Sequence, residues 1–361
     1  MKITYAMNIL NAEPFIKYQL DSIYEHAHEI IIVEGAYKKF AHATNNCRSK
    51  DNTLNIIKAY HDNENKIKLV VNDHFYEDRM EMCNEFLKHV SGDVLWQVDS
   101  DEFYTAETHE YVYQLFKNDN ELDMVSFNFN DYFASTDYCI AGNESLKLDD
   151  VNRVHRFNQG DQWKSQRPPI LIDKNGKEKV IKKKIDGPSL KKKDHIMHHA
   201  TMMFDDQIID KYKYYNTMKF NVNKPTHWYV NVWQKLHNKF CIAGFKYNIT
   251  YLKRNNKAVP ADLLTMINDI RNNKISNFKL RETKDVRDFI SSRSYEKYVQ
   301  IAEEINKLPL SKKNLFSQIS HTLKLLINTI YYIDHRTSKF GIKIICLNFL
   351  KFLINKYLIN R

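Results

Sequence analysis

Apolar and polar positions alternate in blocks along the first hundred residues. The runs KITYAMNIL (2–10) and EIIIVE (29–34) are short and rich in apolar or β-branched residues, as buried strands are. Between them, in EPFIKYQLDSIYEHA, Phe15, Ile16, Tyr18, Leu20, Ile23 and Tyr24 fall at helical spacing, with Pro14 near the predicted start, where a missing N–H costs nothing. The alternation continues. NTLNIIKAYHDN predicts a helix capped by Asp51 or Asn52, KIKLVV a strand, RMEMCNEFLKHV a helix and DVLWQV a further strand. Strands and helices that alternate in units of about 30 residues imply an α/β fold, a mostly parallel sheet with helices on both faces. In such sheets ligands sit at the carboxyl ends of the strands.

Beyond residue 105 the pattern is less regular. DMVSFNFNDYF (123–133) predicts one strand, followed by a turn-rich region to about residue 175, a Lys-rich loop at 174–194 and the cluster HIMHH at 195–199. From about residue 255 the periodicity is helical, in ADLLTMINDIRN, DVRDFISSRSYEKYVQIAEEINK, NLFSQISHTLKLLINTIYYI and FGIKIICLNFLKFLINKYL. The last is interrupted by Lys343, Asn348 and Lys351, too polar for a membrane span; it reads as an interfacial helix or one packed on the main domain. The expected division is a main domain over 1–235, an accessory helical region over 236–308 and a basic amphipathic tail over 309–361.

Charge adds an asymmetry. Residues 1–150 carry 13 Lys and Arg against 27 Asp and Glu, a net of −14, whereas the remainder carries 41 against 17, a net of +24. The basic part suggests an anionic partner, either nucleic acid or an anionic membrane face. The five cysteines include no CxxC pair, and the first residues lack the charged and apolar regions of a secretory signal, so free thiols and a cytoplasmic location are expected.

The candidate chemistry lies in DVLWQVDSDEFY (93–104). An apolar strand runs into Asp99, Asp101 and Glu102, three acids within four positions, which repel one another unless solvent, a partner cation or a metal compensates them. Asp99 and Asp101 fall on one side of an extended chain. Two such carboxylates suit Mg²⁺ or Mn²⁺, which keep positions open for water and a diphosphate.

The first hundred residues resemble the family 2 nucleotide-sugar glycosyltransferases of the GT-A fold. Four stretches carry the likeness: Asn11-Ala12-Glu13 followed by Asp21-Ser22-Ile23; Val33-Glu34-Gly35; Ser49-Lys50-Asp51-Asn52-Thr53-Leu54; and Asn84, Gly92 and Asp99 at the family's spacing. The similarity covers residues 3–104 and continues more loosely to about 235, so it implies a GT-A, Rossmann-like domain with a nucleotide-sugar half (1–104) and an acceptor half (105–235), plus a C-terminal helical extension. Carried over residue by residue, it implies that Asn11, Glu13, Glu34, Asp51, Arg79, Asn84 and Asp99 bind the nucleotide sugar, with Arg79 standing in for the family's arginine at Cys83. It also implies that Asp99, Asp101 and His199 hold Mn²⁺ or Mg²⁺, with His198 as neighbour or alternate. Lys211 could reach the diphosphate. Residues 36–48, AYKKFAHATNNC with their flank, are an insertion relative to the family, at the loop that meets the base.

An inverting transfer needs a carboxylate near the acceptor hydroxyl, and Asp161 and Asp131 are the candidates. The acid expected before the proline of this region is absent, since Gln166-Arg167 stand there. The expected partners are a nucleotide-diphosphate sugar donor and a glycan, lipid-linked or protein acceptor, in the biosynthesis of surface polysaccharides or glycoconjugates, with attachment to an anionic membrane surface through the tail. Two other functions compete. Metal-dependent phosphoryl or nucleotidyl transfer uses similar acids but has no Walker loop here. Nucleic-acid binding through the loop at 174–194 leaves the acidic cleft unexplained.

Overall fold

The run Ile3–Ile9 forms strand β1, six of its seven residues buried, and Phe15–Tyr24 forms helix α1, which turns Ile16, Leu20 and Ile23 inward. The coordinates are a computed structural model, and it describes residues 1–142, 150–166, 169–210, 233 and 250–307. There follow β2 (Glu29–Glu34), α2 (Thr53–Lys58), β3 (Ile67–Val71), α3 (Arg79–Leu87), β4 (Val94–Gln97), β5 (Glu102–Phe103) and α4 (Ala106–Asn118). α2 is shorter than the periodicity predicts, and the Asn52 side chain at its N-cap accepts from the Asn55 amide rather than from a backbone N–H of the helix. α3 is held at its start by Asp78, whose carboxylate accepts from the Met80 and Glu81 N–H groups.

The single strand predicted over 123–133 is two, β6 (Met124–Phe127) and β7 (Phe129–Phe133), which belong to different sheets. The chain crosses between sheets at Asn128, where Gly187 packs so closely that a Cβ there would lie 2.4 Å from the Asn128 nitrogen. The predicted turn-rich region also carries strands: β8 (Ser135–Ala141), β9 (Val151–Arg156), β10 (Gln162–Gln166) and β11 (Pro169–Ile172). The remaining elements are β12 (Lys184–Ile185), α5 (Gly187–Lys191), β13 (Met197–His199), β14 (Tyr251–Arg254), α6 (Ala261–Arg271), α7 (Lys284–Ile290) and α8 (Arg293–Asn306). The predicted helices beyond 308 lie outside the described residues, and among the described residues no helix is long and apolar enough to cross a membrane.

The chain divides into two compact units. The first comprises Met1–Thr136, Asp149–Val222 and Asn256–Arg281. Its main sheet has the order β12-β6-β9-β4-β1-β2-β3 and is parallel except for β9, which runs antiparallel to both neighbours. One face buries Tyr5, Met7, Ile32 and Trp96 with α1 residues such as Ile16 and Leu20, and the other buries Ala6, Ile31, Val33 and Leu95 against Met82, Cys83 and Phe86 of α3. This is the α/β sheet with two covered faces that the pattern implies. Burial of large side chains at about 25 cal/mol per Å² supplies the main driving force for such a core. α6 adds Leu263, Met266 and Ile267 to a further cluster with Phe15 and Tyr18 of α1.

The second unit comprises Asp137–Leu148, Asn223–Asn255 and Glu282–Arg361. Within it the outer part of β8 pairs antiparallel with β14, and the Tyr295 hydroxyl donates to the Leu252 carbonyl.

The lysines of 174–194 do not all face solvent unpaired. Lys179, Lys183 and Lys184 make ion pairs with Asp161, Asp119 and Asp150.

Candidate active site at the carboxyl edge of the sheet

Parallel register brings the ends of β1, β2 and β3 level, with Ile9 opposite Glu34 and Glu34 opposite Val71. Beside them β4 ends at Gln97, and the Val98 N–H donates to the Ala6 carbonyl before the chain turns through Asp99 and Asp101. A three-stranded piece then fixes the side chains. β13 pairs antiparallel with β5, placing His199 opposite Glu102, and parallel with β7, placing His199 opposite Asp131. The Ala200 N–H donates to the Asp101 carbonyl at 2.8 Å, tying the acidic turn to the end of β13.

Adjacent residues of a strand point to opposite faces, so the two histidines separate. His198 is buried, its Nδ1 lies 2.6 Å from the Tyr132 hydroxyl, and burial pushes its pKa down to about 3. His199 faces the acids: Nδ1 is 2.6 Å from Asp131 Oδ1 and Nε2 is 3.6 Å from Asp101 Oδ2. Burial works against its charged form, but the Asp101 and Asp131 carboxylates outweigh that and push its pKa up to about 10.

Beneath this group lies a buried arginine that the sequence reading did not pick out. Arg153, on β9, pairs with Glu102, and one of its terminal nitrogens lies 3.1 Å from Asp99 Oδ2. Glu102 has 2% of its side chain exposed and Arg153 has 10%, against 34% for Asp99. Burial favours the neutral form of Asp99, yet Arg153 and Arg79 hold its carboxyl below the usual range. Burial raises the pKa of Glu102, a rise that Arg153 opposes. Part of the positive charge demanded by three crowded acids is thus supplied by the protein, through Arg153. The signal available in the sequence was that demand itself, since VNRVHR does not read as a core strand.

The other predicted residues form separate groups. Asn11 holds the Ala43 carbonyl with its amide and accepts from the Lys50 N–H, and its own N–H donates to Ser49 Oγ. Asp51 accepts from the Glu13 and Thr53 N–H groups, and Glu13 accepts from that of Asn52. Glu34 is buried, accepts from the Ser49 N–H at 2.6 Å through Oε1, and has its pKa raised by burial. Glu34, Glu13 and Asp51 thus fasten residues 49–53 to the edge of the sheet, and Asn11, through Ala43, fastens the inserted segment 36–48. Its short 3-10 turn, Lys38–Ala43, follows a bridge between Tyr37 and Tyr76. Arg79 is half-buried at the start of α3 and acts electrostatically on Asp99. The amide of Asn84 is taken up by the backbone N–H and carbonyl of Trp163, bracing β10.

Asp161 does not join the Asp101 group. The Phe157 N–H bonds the Asp93 carbonyl, and Asp161 accepts from the nearby Asn158 N–H and pairs with Lys179. That places it at the amino end of β4, about 17 Å of extended chain away from the turn at Asp99. Lys211 lies outside the described residues. Among the described residues no three His, Cys, Asp or Glu side chains converge as a complete metal shell, and Asp101 with His199 is the facing pair.

The sequence model of glycosyl transferase family 2 matches residues 6–213, more than half of the chain, and takes in Asp99, Asp101, Asp131, Arg153 and His199. The chain belongs to that family. The match covers most of the first unit's main sheet. No curated protein matches the chain. Among solved structures, similarity is found to the mannosyltransferase PcManGT from Pyrobaculum calidifontis in complex with GDP-Man and Mn²⁺ (21% identity, 35% of each chain, TM-score 0.29). It extends to glucosyl-3-phosphoglycerate synthase from Mycobacterium tuberculosis in complex with Mn²⁺, UDP and glucosyl-3-phosphoglycerate (18% identity, 41% of this chain and 47% of that one, TM-score 0.27). S. aureus TarS is similar over 66% of this chain and 44% of its own, at 13% identity and a TM-score of 0.33. The chain thus spans less than half the length of each of these proteins.

His199 adds a pH-dependent contribution to stability. Its pKa is about 10 when folded, against roughly 6.5 in an unfolded chain. Between these values the folded protein holds a proton that the unfolded one has lost, so this contribution is complete below pH ~6.5 and disappears as pH rises toward 10. Thermal unfolding in chelator should therefore show the wild type losing stability over this window more steeply than His199→Gln; parallel profiles would contradict the assignment.

Proposed function

We propose that the protein transfers a sugar from a nucleotide-diphosphate donor to a hydroxyl of a glycan, lipid-linked or protein acceptor, using Mn²⁺ or Mg²⁺ held by Asp101 and His199. The observation that carries this reading is the pairing of Asp101 Oδ2 with His199 Nε2 at 3.6 Å on the ligand-binding edge of the sheet. That separation is too long for a good hydrogen bond and shorter than two metal–ligand bonds of about 2.1 Å, so one cation can touch both atoms. The donor set of one carboxylate oxygen and one imidazole nitrogen leaves most of an octahedral shell for water and phosphate oxygens. When bound, the cation supplies Lewis-acid stabilisation of the departing diphosphate.

The chain's own groups do the rest. Asp101 aims its charge at the shared position, and Asp99 is kept ionised by Arg153 and Arg79. Arg79, half-buried and acting electrostatically on Asp99, would meet donor phosphate oxygens in this reading. The insertion at 36–48, held at Ala43 by Asn11 and at its C-terminal flank by Glu34, would form the floor against which the nucleoside lies. In this reading Asn84 contributes through the brace it gives β10. Neither surface polysaccharide synthesis nor membrane attachment through 309–361 is needed for the chemistry; membrane attachment is proposed on the basic excess of the C-terminal part, and surface polysaccharide or glycoconjugate synthesis as the setting in which lipid-linked acceptors occur.

The reading is tested by incubating the protein with UDP-, GDP-, CDP- and dTDP-sugars, with a panel of glycan acceptors and either Mn²⁺ or chelator. Release of one nucleoside diphosphate, dependent on the cation, is expected. No release from the folded protein with any donor, or release indifferent to chelator, would overturn it.

A further inference from the structure

Two carboxylates hold His199, and their places differ. Asp101 lies on the acidic turn and faces Nε2, whereas Asp131 lies behind the ring, on the neighbouring strand, and faces Nδ1. The pairing of Asp131 with His199 is built into the parallel register of β7 with β13, so it needs no loop to form it. The bond is short, 2.6 Å, and Asp131 has 13% of its side chain exposed. Phe129, two residues before Asp131 on the same strand and hence on the same face, meets the imidazole edge to face at 6.1 Å.

We infer that Asp131 is a positioning residue, which fixes the His199 ring with the proton on Nδ1 and Nε2 turned toward Asp101, and that it is not the base that takes the acceptor's proton. The inference rests on the reading of Asp101 and His199 as the cation site. A general base must offer a basic lone pair to the substrate hydroxyl; Asp131 Oδ1 is engaged by a ring nitrogen of its cross-strand neighbour, and that charge-assisted bond lowers the basicity of the whole carboxylate. A carboxylate behind an imidazole sets which nitrogen bears the proton, raises the basicity of the other and holds the ring's orientation. The contact pattern is of that kind. With Asp161 at the far end of β4, the acceptor's proton then passes to neither of the two carboxylates marked in the sequence.

The test is Mn²⁺ binding, by calorimetry on the full chain with a saturating nucleoside diphosphate and no acceptor, so that nothing turns over. Asp131→Ala should weaken Mn²⁺ binding about 10- to 100-fold. Asp131→Asn, whose amide oxygen still accepts from Nδ1–H, should lose less. The double variant with His199→Ala should bind no more weakly than His199→Ala alone, because Asp131 acts through His199. A base would instead leave Mn²⁺ affinity unchanged and cost turnover roughly 10²- to 10⁴-fold. Wild-type affinity in Asp131→Ala, or losses that add in the double variant, would overturn the inference while leaving the cation site standing. A wild type that binds no Mn²⁺ with any nucleoside diphosphate would remove the cation site and this inference together. Thermal unfolding of each variant separates loss of fold from loss of the site, and Asp131→Asn, nearly isosteric, keeps the test open if the alanine variant fails to fold.

Discussion

Asp101→Ala is expected to lower transferase turnover by about 10³-fold or more and to abolish cation-dependent binding of the nucleoside diphosphate, while leaving the fold intact. The main chain at this position is secured independently of the side chain, by the Ala200 N–H that donates to the Asp101 carbonyl. What the substitution removes is the carboxylate that faces His199 Nε2. One imidazole nitrogen does not hold a hard divalent cation in water. The cation's contribution to a departing diphosphate is several kcal/mol, and each 1.4 kcal/mol is a factor of ten in rate. Removing Asp101 also takes away the largest influence raising the pKa of His199, so the ring should titrate closer to neutrality. Steady-state release of nucleoside diphosphate, compared with a melting curve of the same preparation, checks the prediction. A loss of less than tenfold would mean that Asp101 does not hold the cation.

Arg153→Met should destabilise the protein by about 3–5 kcal/mol, out of a total that is usually about 5–15 kcal/mol for a domain. The reason is the buried partner. Glu102 has 2% of its side chain exposed, and without Arg153 it must either keep an uncompensated charge or bind a proton. The double variant Arg153→Met with Glu102→Leu should recover most of the loss, since a buried ion pair replaced by apolar groups of similar size is often neutral in stability. Donor binding should not recover with it: Asp99 would lack the arginine that holds it below the usual carboxyl range. Denaturant unfolding of the three proteins measures the first effect. A single variant within 1 kcal/mol of wild type would show that the pair does not organise the turn.

The part of the site carried on β4 was legible because an apolar strand that ends in acids has few bland explanations. The first strands and helices were legible for a related reason: their buried positions are filled by Ile, Val, Leu, Trp and Tyr, so pattern and burial coincide. β9 is the opposite case. Arg153 and His155 are buried there, and their partners come from distant parts of the chain: Glu102 for the arginine, and Trp163, edge to face, for the histidine. No local pattern of hydrophobicity can show a strand whose core positions are charged or polar. The break between β6 and β7 was hidden because it falls at Asn128, packed against Gly187, which comes 59 residues later. The choice between His198 and His199 is a question of register. One residue of offset exchanges the two faces of a strand, and only the pairing of β13 with β5 and β7 decides which ring meets Asp101. Family resemblance marked Asn11, Glu13, Glu34 and Asp51 as a group, and they are one in space: Asn11 holds the insertion at Ala43, and the other three fasten residues 49–53 behind it.

The most direct measurement of the central claim is anomalous diffraction from crystals of the protein soaked with Mn²⁺ and the nucleoside diphosphate it releases. The account predicts one strong peak at bonding distance from both the Asp101 carboxylate and His199 Nε2, with diphosphate oxygens completing the shell. A peak bound elsewhere, or none beside Asp101 while the diphosphate is in place, would contradict it.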